Sequence, residues 1–175
     1  MGGFEYVFTF YSLLLGLAAA NVATGLADVW RDRRGAKLGW FVPALGFIVL
    51  LLLMRQWIAY WSFREVMTLS TPRMIAAACV ALPFVFVSRL IFPASSSAAP
   101  LDDHFFAHRR AILLGLAASP FAALTAGFLN DGLAPSPWNA TGVLLPIALI
   151  PFKNRLVNLA GLALLAGRAV WGVWS

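Results

Sequence analysis

A chain of 175 residues, 61% hydrophobic and only 11% charged, lacks the composition of a soluble domain, in which about 25% of residues are charged. Its apolar residues come in membrane-length blocks, not in alternations or one-sided stripes, which points to an integral membrane protein. The net charge of +6 comes from Lys and Arg in the short segments between apolar blocks, where they orient membrane helices. No basic run interleaves with aromatics, so nucleic acid is excluded as a partner. The fold class read from this pattern is all-α: one polytopic transmembrane helical bundle over residues 1–175. It has six helices, or five with a short, kinked or re-entrant segment at 138–152.

Helix 1 is expected from about Phe4 to Ala27. Ala18, Ala19 and Ala20 resemble a cleavage site, but Glu5 stands where a signal peptide is positive, and the apolar block is too long. At 100° per residue, Glu5, Thr9, Ser12, Gly16, Ala20, Ala23 and Ala27 share one narrow face. Small residues let a second helix approach closely in lipid, so Ser12, Gly16, Ala20, Ala23 and Ala27 read as a helix-packing seam. The functional alternative is a polar path along Glu5, Thr9 and Ser12. A second face carries Asn21, Thr24 and Asp28 at i, i+3, i+7. Asn21 lies about two turns inside the basic cluster, where an amide is costly unless it finds a partner. Either Asn21 and Thr24 bond a neighbouring helix and Asp28 pairs at the surface, or the three form a binding wedge at a vestibule for an ion or small polar solute. Arg31, Arg33, Arg34 and Lys37 follow as topology anchors, with Gly35 ending the helix.

Helix 2 is expected from about Leu38 to Trp57 or a turn further. Its centre, Phe47 to Leu53, is apolar on every side, and lipid is expected over much of its surface. Arg55 sits near its end, followed by Trp57, Tyr60 and Trp61 as an interfacial belt. Helix 3 is expected from about Met74 to Phe92, with Pro83 inside and Cys79 as a small buried hydrophobe. Residues 93–101 form a flexible Ser/Ala/Pro-rich loop. Helix 4 is expected from about Ala111 to Leu129, preceded by a helical pattern that opens at Asp102.

Asp102, Asp103, His104 and His108 are the one ligand-like cluster. His at i and i+4 share a helix face, and imidazole with carboxylate binds divalent metals such as zinc. No Glu separates the histidines as in the metalloprotease motif. The plain alternative is a helix cap at Asp102 or Asp103, with histidines at headgroup level. Trp138 to Phe152 is apolar but short, holds Pro146 and Pro151, and is closed by the anchors Lys153 and Arg155. Helix 6, about Leu156 to Trp174, is long enough to cross.

With six crossings, one side collects Arg31, Arg33, Arg34, Lys37, Arg89, Arg109, Arg110, Lys153 and Arg155, and the other Arg55, Arg64, Arg73 and Arg168. The richer side is the cytoplasmic one, which leaves both termini outside the cytoplasm of a bacterial inner membrane. All seven tryptophans fall at expected helix ends, where indole prefers to sit. The segment LLGLAA occurs at 14–19 and at 113–118; an inverted repeat of three helices per half would produce this, but Leu, Ala and Gly are abundant enough for chance to be the preferred reading.

No phosphate-cradling glycine loop, nucleophile elbow or paired-cysteine site is present, and no cofactor is expected. The leading functional reading is a non-catalytic interaction or assembly bundle. Its partners are the lipid bilayer and either a second copy or another membrane protein. The alternative is a small oligomeric channel or transporter using Asn21, Thr24 and Asp28. Third stands a metal-dependent membrane enzyme at the Asp102–His108 cluster.

Overall fold

Six apolar blocks become six α-helices: α1 Gly3–Asp32, α2 Phe41–Trp61, α3 Thr71–Leu90, α4 Leu101–Asp131, α5 Pro137–Leu149 and α6 Arg155–Trp174. The computed structural model describes residues 2–32, 39–65, 68–93, 100–132 and 136–174, and no strand occurs among them. The anchors Arg33, Arg34 and Lys37 and residues 94–99 of the loop lie outside the described residues.

Helices α1 to α4 are each long and apolar enough to cross a membrane. With 30 and 31 residues, α1 and α4 reach about 45 Å at 1.5 Å per residue, past a hydrocarbon core of about 30 Å. The helical pattern at Asp102 is therefore part of the first three turns or so of α4 itself, which begins ten residues before the expected Ala111. The segment at 138–152 forms a helix of only 13 residues, or about 20 Å. Pro151 cannot continue it and leaves its last carbonyls needing partners. Arg109 of α4 closes this end: its guanidinium donates to the carbonyl of Ile150, the first residue past the helix, at 2.6 Å, and to that of Phe152. Asn158 of α6 adds a bond to Phe152 at 2.9 Å. Three helices thus meet where α5 stops.

Helix α2 is the hub, packing against α1, α3, α4 and α6. It is the most buried of the four membrane-length helices, with Phe41, Val42, Leu45, Ile48, Val49 and Leu53 in the core. The core takes one side of it, while Phe47, Met54, Trp57 and Ile58 stay exposed on the other, the surface expected to meet lipid. Cys79 is corrected: it is exposed, on the outward side of α3 with Ile75, Leu82 and Phe86.

Helices alternate in direction, so the start of α1 meets the end of α2. Phe4 stacks on Tyr60 and meets Trp61 edge-on, and Tyr11 stacks on Tyr60 at 4.1 Å. At the opposite end Phe41 stacks on Phe105 at 5.2 Å. There the Asp102 carboxylate accepts the Phe41 N–H at 3.3 Å. It therefore caps α2 from α4 and leaves the start of α4 without a side-chain cap. The end of α6 returns to the end where α1 begins, because Arg168 bonds Trp138 at the start of α5. The halves do not pack alike: α1 rests on both α2 and α3, whereas α4 packs closely on α5 and reaches α6 through long side chains such as that of Arg155.

Candidate functional site

The structure separates the two faces of α1 that sequence reading singles out. Packing inside the chain uses Val7, Tyr11, Leu15, Ala18 and Val22, all buried. The small-residue face points elsewhere: Gly16, Ala20, Ala23 and Ala27 are exposed, and Ser12 is half-buried. A Cβ placed on Gly16 would meet nothing within 4 Å. Glu5 and Thr9, on the same face, are exposed and bonded locally: Glu5 accepts from the Gly2 N–H, and the Thr9 hydroxyl donates to the Glu5 carbonyl.

Asn21, Thr24 and Asp28 do not converge on a shared site. The Asn21 amide donates to the Ser88 hydroxyl of α3 at 3.2 Å, and buried Ser88 donates in turn to Val85 O at 2.8 Å. Thr24 is exposed. Asp28 pairs with Arg31 at 2.9 Å. None of the three lines either cavity at the opposite end of the bundle.

The four residues of the metal-like cluster also go separate ways. Asp102 caps α2. Asp103 lies 3.9 Å from Arg155. His104 meets the Leu90 carbonyl through Nε2 at 3.1 Å, which ties α4 to the end of α3. His108 Nδ1 meets the His104 carbonyl at 3.1 Å within its own helix. Only the two rings stay together, with centroids 4.4 Å apart. Among the described residues no three of His, Cys, Asp and Glu are grouped to hold a metal.

The most site-like feature lies at the end of the bundle where α1 begins. A cavity of about 350 Å³ opens between the ends of α1 to α5, with Tyr11, Arg55, Gln56, Tyr60, Trp138 and Asn139 in its wall. The Arg55 guanidinium lies 4.1 Å from the Trp138 ring centre and that of Arg168 lies 4.2 Å from it. Arg168 also donates to the Trp138 carbonyl at 2.5 Å and to the Thr141 hydroxyl at 3.3 Å. Gly142 makes room for it: a Cβ there would come within 2.6 Å of the guanidinium. Behind this group a smaller void of about 30 Å³ reaches Pro120, Gly142 and Pro146. Proline at 120 and 146 frees the carbonyls of Leu116 and Gly142, and both residues line that void.

Two like charges on one indole need explaining. Taking a cation out of water costs several kcal/mol, and a cation–π contact returns about 0.5–2 kcal/mol. The stack alone does not offset the desolvation. Arg55 Nε and Trp138 Nε1 are buried without a hydrogen-bond partner, and neither Arg55 nor Arg168 has a carboxylate within ion-pair distance among the described residues.

Sequence reading missed this group because it placed Arg55 and Arg168 as boundary charges and Trp138 in the aromatic belt. The signal was depth. Arg55 precedes Trp57, the first residue of the belt, by about 3 Å and Arg168 precedes Trp171 by about 4.5 Å of helix rise, so both lie just inside the tryptophan level. No protein-family model, no curated protein and no solved structure matches this chain.

Proposed function

We propose that the protein is a non-catalytic assembly bundle of a bacterial plasma membrane, which pairs through the outer face of α1 with α1 of a second copy. The observation that carries this reading is the stripe Ser12, Gly16, Ala20, Ala23 and Ala27, turned away from the chain's own core. Between lipid tails and protein there is no hydrophobic drive, so helices associate where small residues allow close backbone contact. Ser12, Gly16 and Ala20 repeat at four-residue spacing, with Leu13 and Leu17 exposed beside them. Such a face is self-complementary, as a two-fold interface requires. The charge bias of the sequence supports placing the ends of α1, α3 and α5 toward the cytoplasm, and the starts of these helices outside it.

Replacing both Gly16 and Ala20 by Leu tests the reading. The expected result is a dimer dissociation constant in lipid raised at least tenfold. Thermal stability of the monomer should stay close to the original, since both positions are exposed. An unchanged dissociation constant contradicts it.

A second reading, a small oligomeric channel or transporter for an ion or small polar solute, is favoured by the cavity at Arg55 and Trp138. In that reading solute enters by this cavity and not by the Asn21, Thr24 and Asp28 face.

A further inference from the structure

The cavity between the ends of α1 to α5 has cationic and neutral polar groups in its wall and, among the described residues, no Asp or Glu. Arg55 and Trp138 line that wall, with their Nε and Nε1 N–H groups buried behind its surface and lacking an acceptor. Arg73, also in the wall, is bonded to Thr68 and is not one of these orphaned donors. The missing partner is therefore both negative and rich in lone pairs, which describes an oxyanion. The volume of about 350 Å³ falls at the lower end of small-molecule pockets, roughly 300–1,000 Å³, and exceeds the needs of a bare halide. Tyr60, Val80 and Leu124 supply apolar wall, and Tyr11 adds a ring whose buried hydroxyl has no hydrogen-bond partner.

The geometry points to a binding site for a carboxylate or phosphate carried on a small apolar or aromatic body, held by Arg55 and Trp138. Arg168 is a positioning residue: it grips the Trp138 carbonyl and ring and adds charge behind the indole. The site is independent of pairing through α1, because no residue of the small face lines the cavity. The same chemistry is offered by a free organic acid and by a phospholipid headgroup.

The test uses the full chain in dodecyl maltoside and isothermal titration. Naphthalene-1-carboxylate and 1-naphthyl phosphate are the probes, with naphthalene-1-carboxamide as the uncharged twin. Both anions should bind saturably, and the amide at least tenfold more weakly. Arg55→Gln should weaken the anions at least tenfold and leave the amide unchanged. Arg55→Lys, which keeps the charge, should retain most of the affinity and shows that the loss is not a folding defect. Repeating the titration in phosphatidylcholine nanodiscs with and without phosphatidylglycerol separates the sources. Competition by phosphatidylglycerol assigns the site to a lipid headgroup, and unchanged affinity assigns it to a free acid. Equal binding of acid and amide, or Arg55→Gln binding the acids as the native chain does, overturns the proposal.

Discussion

Replacing Arg109 by Ala is expected to be the most destabilising single change in the chain, at about 3–6 kcal/mol, from the loss of two buried hydrogen bonds to a charged donor. Arg109 is 3% exposed, and its guanidinium closes the end of α5 by donating to two carbonyls, those of Ile150 and Phe152. Without it, those carbonyls keep only the Asn158 amide at Phe152, and hydrogen bonds to a charged donor are worth about 1.5–3 kcal/mol each. Helix α5 has 13 residues, too few to stand in a membrane unaided. The loss should therefore be local before it is global. Hydrogen exchange should show lost protection over residues 145–152 under conditions that leave α2 protected. Protection unchanged along α5 would show that the cap is dispensable.

The second large effect is expected at Gly115→Ala, about 1–3 kcal/mol from overpacking. A Cβ at Gly115 would sit 2.3 Å from Val87 Cγ2. Val87 is fully buried and β-branched, with few rotamers to retreat into, so α3 and α4 must separate. The double change Gly115→Ala with Val87→Ala should recover part of the loss, since residues in contact couple. Thermal unfolding of the two single variants and the double variant checks it. Additive losses would place the cost elsewhere than in this contact.

These two sites differ in how visible they are in the sequence. The all-helical class and the helix count follow from block length and composition, which act locally along the chain. Helix ends are less legible: α4 runs back to Leu101 because Pro100 and the Asp102 contact to Phe41 set its start, and that contact joins residues 61 positions apart. Arg109 reads as an anchor by position, and only the end of α5 packed beside it turns it into a cap. Asp102, Asp103 and His104 share a helix start but reach Phe41, Arg155 and Leu90 on three other helices, while the His104 and His108 rings stay together, and helix spacing alone does not show those partners. The face of α1 is legible as a stripe, but whether it turns inward or outward depends on which helices pack on α1. Arg55, Trp138 and Arg168 come from three separate helices, and no local pattern joins them.

Assembly through α1 is tested most directly by cysteine cross-linking in native membranes. With Cys79, exposed on α3, replaced by Ser, single cysteines are placed at Ser12, Gly16 and Ala20, and at Leu82, which is 51% exposed on α3. Oxidation should give cross-linked dimer at the three α1 positions, strongest at Gly16, and little at Leu82. Cross-linking at Leu82 equal to or above that at Gly16, or none along α1, would contradict the account.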